Sequence, residues 1–495
     1  MRAARKALRR AIRVENARQR KQIYTDLMKT DANKDVIFYQ LVAKQRKTKR
    51  QTSHALRVNG NIVNDNKGLL QAWASHFCKL GTQAPNPNYD QCHYERITKT
   101  KKCISTYIDA FKPFQNAPPI TITEVEKSIG KLNNGKAADK RGLTAEHLKQ
   151  ALPHIASPLA TMFTAALHQG IQPDSFTTGS LTPVGKKGKD ILDPNNNRGI
   201  VISPILAKVY EHIIDLREAD DDSTDPLQFG FTEGRSPTMA SLLTTEAIAE
   251  SIDEGQPVYI ASLDSQKAFD VVWQDSLSVR LFIKKPPEYW QAHTKLLEDT
   301  QLQVKINGEY SEPFRVNQGV GQGKILSTKN YKDYIEPVLG NCRRCQAGCY
   351  TGIFYVATPT CADDVLLIAR SMEDLQTLMS IAYEFSKQER FNIHPQKTKI
   401  IVYNFKGPDN LHVWKLGETE VRPSSFLTHL GINRYASSIT SDDIIQERIT
   451  SARKTAFSPY NLETDIFPTN SHKATLTCGY LPNVYSLNNP NLTCL

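Results

Sequence analysis

The sequence lacks the apolar segments that would place a protein in or across a membrane. Its 495 residues contain no apolar run of about 18 residues, the length that marks a candidate membrane-spanning helix. Its N-terminus also lacks the apolar stretch of a secretory signal peptide. The sequence therefore predicts an intracellular protein, in the nucleus or the cytoplasm, that has no membrane partner.

Cysteine is also sparse, with nine residues scattered along the chain. An odd number of cysteines without a secretory signal is typical of reduced thiols rather than of a disulfide framework. Cys342, Cys345 and Cys349 are the only close group, in "NCRRCQAGCY". A structural zinc site has four ligands, and no clear fourth ligand is near them in sequence, so the pattern does not favour zinc.

Acidic residues are scarce in the first 50 positions. This segment holds sixteen Lys or Arg and four Asp or Glu, a net charge of +12, whereas the whole chain carries +11. Concentrated positive charge on a helix-forming composition indicates binding to a polyanion, most commonly nucleic acid. A solvated helical linker and a mitochondrial presequence are the alternatives, although the basic pattern continues to Arg50.

The order of patterns suggests three regions: residues 1–115, 116–435 and 436–495. Asn59-Gly60 between β-formers predicts a hairpin in the first region. Thr121 or Thr123 is expected to cap a helix that ends at Asn134-Gly135. Strands and helices then mix, which predicts an α+β domain. In the last region one helix, capped by Thr440 or Ser441, precedes an irregular tail.

Three aspartates follow or precede strand-like runs. Asp264 ends the run Val258–Leu263, and Asp363 and Asp364 stand between two runs in "GIFYVATPTCADDVLLIAR". If that segment is a hairpin beside the first strand, the three carboxylates meet. They would repel one another unless a divalent cation such as Mg²⁺ bound them. Two such ions support phosphoryl or nucleotidyl transfer. A solvated turn and a capped helix start are the alternatives.

Eight segments, two of which contain these aspartates, occur in a characteristic order: "LNNGKAADKRGLTAEHLK", "LTPVGKKGKDILDPNNNRGIVISPILAKVYEHII", "QFGFTEGRSPTMA", "LDSQKAFDVVW", "NQGVGQGKILSTKNYKDYI", "CADDVLLIA", "FNIHPQKTKIIVY" and "THLGI". In this order and spacing, the chain resembles the reverse transcriptases of non-LTR (LINE-like) retrotransposons over roughly residues 120–455. The resemblance implies a right-hand polymerase, with fingers and an antiparallel palm sheet in 116–435, a thumb helix in 436–495 and a basic helical extension before them. It also implies RNA-directed DNA synthesis with two Mg²⁺ ions, an RNA template, a DNA primer or target, and dNTPs.

The resemblance also implies roles for individual residues. Asp264 and Asp363 match the metal ligands, and Asp364 matches the third carboxylate. Phe269 matches the wall that excludes a ribose 2′-OH, although a core-packing role is the alternative. Lys397 matches a proton donor to pyrophosphate, or it is simply a surface lysine.

Four more positions match nucleotide-binding groups. Gln322 and Gly323 fall in the loop that packs against the new base pair. Arg198 and one of the two lysines, Lys186 or Lys187, fall where the fingers meet the triphosphate. A solvated loop is the alternative for the lysine run.

The chain departs from the family pattern at Cys361, Gly321, Thr328 and His429, where an aromatic residue, Arg, Pro and Tyr are usual. A second hypothesis is therefore a degenerate, catalytically weak remnant that still binds nucleic acid. A third is another palm-fold enzyme, a maturase or a nucleotide cyclase, but "QFGFTEGRS" and "KAFD" argue against a cyclase. The absence of an endonuclease region and of a Cys-His knuckle predicts a fragment or a truncated copy.

Overall fold

The computed structural model describes Arg18 and residues 55–436, apart from Asn59, Lys187, residues 219–223, Asp299 and residues 406–411. The predicted basic helix in residues 1–50, except for Arg18, therefore lies outside the described residues. So do one of the two candidate triphosphate lysines, Lys187, and the helix and tail predicted after residue 436. The division of the chain into three regions stays a prediction.

Helices and short strands alternate through the described residues, so the predicted mixture of α and β structure is confirmed. The helices are α1 Asn66–Leu80, α2 Gln91–Asp109, α3 Ile122–Lys131, α4 Ala145–Gln169, α5 Ile205–Arg217, α6 Pro237–Asp253, α7 Gln274–Lys284, α8 Pro287–Leu297, α9 Ser327–Arg344 and α10 Met372–Gln388. Short 3₁₀ turns cover Asp174–Thr177, Pro194–Asn196 and Ala268–Asp270. Among the helices described, none combines the length and apolarity that a membrane crossing demands.

The strands are mostly short and fall into several small sheets. They are β1 Leu56–Val58, β2 Asn61–Val63, β3 Thr178–Gly185, β4 Asn197–Ile202, β5 Val258–Asp264, β6 Thr300–Ile306, β7 Glu309–Tyr310, β8 Phe314–Val316, β9 Tyr350–Thr351, β10 Phe354–Tyr355, β11 Asp364–Ala369, β12 Lys399–Tyr403, β13 Trp414–Leu416, β14 Thr419–Val421, β15 Phe426–His429 and β16 Ile432–Tyr435. Strands β1 and β2 pair antiparallel, as the Asn-Gly signal predicts.

A three-stranded antiparallel sheet in the order β11-β5-β12 forms the centre of the domain. Both of its faces are buried, which explains why the runs that form β5 and β11 are almost continuously apolar. Tyr259, Ala261 and Leu263 belong to the main core, together with side chains of α9 and α10. Val258 and Ile260 belong to a second core with residues of α6 and β15. The sheet is thus packed against a core on each of its faces.

A second sheet runs in the order β4-β3-β6-β7, with β8 also paired to β6. Its pairs are antiparallel except for the parallel pair β3–β6. Trp73 and Phe77 of α1 are buried with Leu181 and Val201 in the core beneath this sheet. That core holds the β3–β4 hairpin, and the hairpin carries Lys186 and Arg198 at the end where its connecting loop lies.

Helix α3 begins where the sequence predicts but ends earlier. Thr121 caps it, and its hydroxyl oxygen accepts a hydrogen bond from the Glu124 amide at 3.2 Å in a complete capping box. The predicted end at Asn134-Gly135 is wrong, because the helix stops at Lys131. Leu132 has an extended backbone and a buried side chain there, so the helix ends where this residue packs into the core.

Candidate active site

The central sheet brings together the aspartates that the sequence singles out. Asp264, the last residue of β5, is the direct antiparallel partner of Asp364, the first residue of β11. Asp363 precedes Asp364 in the turn that leads into β11. Side chains at directly opposite positions of an antiparallel pair have Cβ atoms about 4.5–5.5 Å apart. The expected approach of the three carboxylates is therefore a feature of the fold, although their role stays a prediction.

The turn that carries Asp363 is closed by two backbone hydrogen bonds. The Cys361 amide donates to the Asp364 carbonyl at 3.0 Å, and the Asp364 amide donates to the Cys361 carbonyl at 3.1 Å. Between them Ala362 has a φ of 58°, which a non-glycine residue seldom adopts. The turn is a short, closed connection that leaves the Asp363 and Asp364 side chains exposed.

The segment before the turn differs from the sequence prediction of a strand-like run. Residues 356–361 form no regular strand, and only Thr360 and Cys361 make isolated bridges. Pro359 has no amide hydrogen to donate. The Thr360 amide donates instead to the Leu227 carbonyl at 2.9 Å. The Thr360 amide, which could have extended a hairpin with β11, is thus bound to the segment around residue 228 instead.

Neighbouring carboxylates disfavour the charged forms of Asp363 and Asp364. Desolvation by the surrounding protein, followed by the charges of Asp363 and Asp264, raises the pKa of Asp364 to about 6. Desolvation and the charge of Asp264 also raise the pKa of Asp363, against the opposing effect of Arg198. A bound cation would relieve this repulsion, so the electrostatics favour a positive ligand at the turn.

Lys397 supplies a positive charge to this group. Its Nζ lies 2.9 Å from Oδ2 of Asp264, and the two side chains are 60% and 45% exposed. Carboxylate oxygens suit Mg²⁺, so the donor set of Asp264, Asp363 and Asp364 fits such an ion. As the side chains stand, however, no group of three or more His, Cys, Asp or Glu is arranged to hold a metal ion anywhere in the described residues.

The ring of Phe269 lies beside the end of β5. It stacks on Tyr331 of α9 with ring centroids 4.5 Å apart and an interplanar angle of 15°. The Phe269 side chain is only partly buried, so packing accounts for one face of the ring and leaves part of it accessible. This geometry is compatible with both roles that the sequence suggests, a wall for a ligand and a core-packing residue.

The loop that contains Gln322 and Gly323 joins the two sheets. The Val201 amide of β4 donates to the Gln322 carbonyl at 2.8 Å, and the Gln322 side chain donates to the Asp270 carboxylate at 3.3 Å. Gly323 has a φ of 115°, and a Cβ there would lie 2.5 Å from the Val201 carbonyl oxygen. Only glycine fits that position, because any side chain would force β4 away.

A cluster of positive charge faces the carboxylates from the β3–β4 hairpin. Burial, followed by the charges of Arg198 and Lys397, lowers the pKa of Lys186. Asp270 and Asp264 oppose this effect. Lys186 thus feels the positive charges of Arg198 and Lys397 and the negative charges of Asp270 and Asp264. Such a concentration of positive charge beside the carboxylates suits an anionic ligand such as a polyphosphate.

The departures from the family pattern leave the carboxylates in place. Cys361 pairs with Asp364 through its backbone alone, so this pairing does not require an aromatic side chain. Gly321 has a φ of 74°, and its carbonyl accepts a hydrogen bond from the Ser327 hydroxyl at 2.7 Å. His429 is buried, and burial followed by the charge of Arg434 lowers its pKa to about 4. Thr328 is the second residue of α9.

Comparison with known proteins identifies the family to which this region belongs. The family described as reverse transcriptase (RNA-dependent DNA polymerase) matches residues 184–433, just over half of the chain and the whole of the site. The chain belongs to the reverse transcriptase family. The resemblance to reverse transcriptases of non-LTR retrotransposons that the motifs indicate is thereby confirmed.

Three of the relatives of this reverse transcriptase are proteins from mobile elements of Drosophila melanogaster. It is 25% identical over 320 residues to "Probable RNA-directed DNA polymerase from transposon BS", covering 61% of this chain and 34% of the relative. It is 24% identical to the corresponding protein of transposon X-element, with coverages of 70% and 38%. To the RNA-directed DNA polymerase from mobile element jockey it is 27% identical, with coverages of 46% and 25%. The chain thus spans between a quarter and about two fifths of the length of these relatives.

Two supporting residues of this reverse transcriptase were not singled out from the sequence. Gln228 is buried, and its Oε1 accepts hydrogen bonds from the amides of Gly230 and Ala362, both at 2.9 Å. It thereby ties the "QFGF" segment to the turn that carries Asp363. A buried polar residue inside an apolar motif was the available signal.

Glu211 of α5 is the second such residue. Its side chain is buried, and it accepts hydrogen bonds from the amides of Ile325 and, at 3.0 Å, Leu326. Burial raises its pKa, and the charges of Lys324 and Lys208 and the two amides oppose that effect. Glu211 holds the segment that follows Gln322 and Gly323, and its place in "KVYEHII" was the only sequence signal for it.

Proposed function

We propose that this chain catalyses RNA-directed DNA synthesis for a non-LTR retrotransposon, by transferring a nucleotide from a dNTP to a primer 3′-OH. The observation that carries the proposal is the opposition of Asp264 and Asp364 at the ends of β5 and β11, with Asp363 in the adjoining turn. Membership of the reverse transcriptase family makes nucleotidyl transfer the chemistry that fits this carboxylate group. The degenerate-remnant hypothesis has less support, because none of the four departures removes a carboxylate.

In this proposal the sheet β11-β5-β12 corresponds to the palm and the β3–β4 hairpin to the fingers. Asp264, Asp363 and Asp364 would hold two Mg²⁺ ions. Two bound Mg²⁺ ions activate the attacking oxygen and stabilise the leaving one. Lys397 lies beside Asp264 and is suited to give a proton to the departing pyrophosphate.

The remaining residues would bind and orient the substrates. Lys186 and Arg198 attract the triphosphate by charge. Phe269 closes the space that a ribose 2′-OH would need and so favours dNTPs. The loop of Gln322 and Gly323, held by Glu211 and β4, packs against the new base pair. The RNA template and DNA primer are the nucleic-acid partners, and the basic segment 1–50 is suited to bind their phosphates.

Primer extension with the purified chain tests the proposal. With an RNA template, a DNA primer, dNTPs and Mg²⁺, the wild-type chain should extend the primer, and Asp363→Asn should abolish extension. Asp253→Asn, at an exposed aspartate at the end of α6, is the matched control and should extend normally. A wild-type chain that binds primer–template but never extends it would support the degenerate remnant instead.

A further inference from the structure

Phe231 is an exposed aromatic residue beside the candidate active site. Its side chain is 58% exposed, and its backbone φ is 52°, a left-handed conformation that bulky residues rarely adopt. An isolated exposed apolar residue is common. One that is also held in an unfavourable backbone conformation is not explained by packing, and such strain concentrates at functional sites.

The loop that presents Phe231 is firmly anchored. Arg235 donates from one guanidinium nitrogen to the Asp225 carbonyl at 2.6 Å and to the Gln228 carbonyl at 3.1 Å. Gly230 packs so closely on the turn before Asp363 that a Cβ there would lie 2.4 Å from the Ala362 nitrogen. Phe231 is thus fixed relative to the carboxylates, since its preceding residue contacts their turn directly.

Phe231 also meets the proposed sugar-excluding residue. Its ring stands edge-on to Phe269, with centroids 6.2 Å apart and an interplanar angle of 87°. Phe269 in turn stacks on Tyr331. The two phenylalanines therefore form an apolar corner that is open to solvent on the Phe231 side, and the neighbouring Tyr331 feels the charges of Asp363 and Asp364.

We propose that Phe231 is a nucleotide-contacting residue, whose ring packs on the base of a nucleotide at the active site. The inference rests on the proposed function and assigns it a further binding residue. Aromatic rings stack on nucleobases independently of sequence, and losing one such contact lowers affinity about 5-fold to 100-fold. The nucleotide is either the incoming dNTP or the 3′-terminal nucleotide of the primer, which share the same chemistry.

The fluorescence of 2-aminopurine is quenched when its base stacks. Its binding therefore distinguishes a contact with the incoming dNTP from one with the 3′-terminal nucleotide of the primer. In one arm the probe is 2-aminopurine deoxynucleoside triphosphate, titrated onto the chain with a primer–template whose primer ends in a dideoxynucleotide. In the other arm 2-aminopurine is the 3′ nucleotide of the primer. Phe231→Gly should weaken binding about 5-fold to 100-fold and reduce the quenching of bound 2-aminopurine in one arm, and the affected arm identifies the nucleotide.

The variants are chosen to separate binding from folding. Phe231→Gly removes the ring and relieves the left-handed backbone, so its melting temperature should stay within a few degrees of wild type. Phe231→Leu keeps apolar packing without an aromatic plane and should lose the quenching too. Phe354→Ala, at a 71% exposed phenylalanine on β10, is the matched control and should bind as wild type does.

The outcomes also separate this inference from the proposed function. Unchanged affinity and quenching in both arms for both Phe231 variants would overturn the role of Phe231, even if the wild-type chain extends primers. Quenching that depends on Phe231 in a chain that does not extend primers would support the contact and count against the proposed polymerase activity.

Discussion

Asp264 and Asp364 stand directly opposite each other at the ends of neighbouring antiparallel strands. Like charges in this position destabilise a sheet by about 0.2–1 kcal/mol. The surrounding core does not require either residue, because both lie where the strands leave it and neither is buried. The opposed carboxylates are therefore what a cation-binding site would show: they lower the stability of the fold until a cation binds between them.

Asp364→Asn should stabilise the chain in a pH-dependent way. The folded pKa of Asp364 is raised to about 6, whereas that of an unfolded Asp is about 3.9. Between these values the folded state binds more protons, so wild-type stability falls as pH rises through this window. Asn cannot ionise, so it removes this fall in stability. The variant should therefore melt about 1–3 °C higher than wild type at pH 7.5, and at the same temperature as wild type at pH 4.

Calorimetry with and without Mg²⁺ checks this prediction. Mg²⁺ should raise the melting temperature of the wild-type chain at pH 7.5 more than that of Asp364→Asn, which lacks one ligand. Asp253→Asn controls for the loss of a negative charge elsewhere. A lower melting temperature for Asp364→Asn at pH 7.5 would mean that the carboxylate stabilises the fold, contrary to the argument above.

Lys397 is predicted to act as a proton donor and not only as the partner of Asp264. Lys397→Gln should slow single-turnover extension about 100-fold, a typical contribution of general acid catalysis. Lys397→Arg can restore the ion pair at 2.9 Å, but a guanidinium does not release its proton, so the rate should stay low. Full recovery with Arg would show that only the charge is needed. Lys415→Gln, at an exposed lysine on β13, is the control.

Phe269 is predicted to discriminate between sugars. Phe269→Ala should raise kcat/KM for ribonucleotides relative to deoxynucleotides, because the ring no longer occupies the space of a 2′-OH. Loss of its stack on Tyr331 should also lower the free energy of unfolding. The decrease should be at most about 3–5 kcal/mol, the cost of removing a core ring, because the Phe269 side chain is only partly buried. Reduced stability with an unchanged ratio of the two kcat/KM values would make Phe269 a packing residue alone.

Gln228 is predicted to hold the aspartate turn in place. Gln228→Met keeps the length of the side chain but leaves the amides of Gly230 and Ala362 without their acceptor, at a cost of about 1–3 kcal/mol. Extension should fall as well. Gln318→Met is the control, because Gln318 is also buried but donates to the carbonyl of Leu80, at 2.7 Å. Equal extension by both variants at matched stability would remove the positioning role.

The sequence predicts the positions of the three aspartates better than the side-chain contacts around them, because those contacts join distant segments. Apolar runs that end in Asp264 and begin after Asp364 indicate two buried strands, and the motif order suggests that they are neighbours. The contact of Lys397 with Asp264 joins residues 133 apart, and it depends on β12 pairing with β5. The Gln228 contact with Ala362 spans 134 residues. Such contacts follow from packing of distant segments, which no local periodicity encodes.

Iron-mediated cleavage tests most directly whether Asp264, Asp363 and Asp364 hold divalent cations. With Fe²⁺ in place of Mg²⁺ and with ascorbate and peroxide, hydroxyl radicals cut the backbone close to the bound ion. We predict cleavage near residues 264 and 363, suppressed by excess Mg²⁺ and absent from Asp264→Asn and Asp364→Asn but present in Asp253→Asn. Cleavage elsewhere in the chain, or cleavage at these residues that neither Mg²⁺ nor the substitutions reduce, would contradict the assignment.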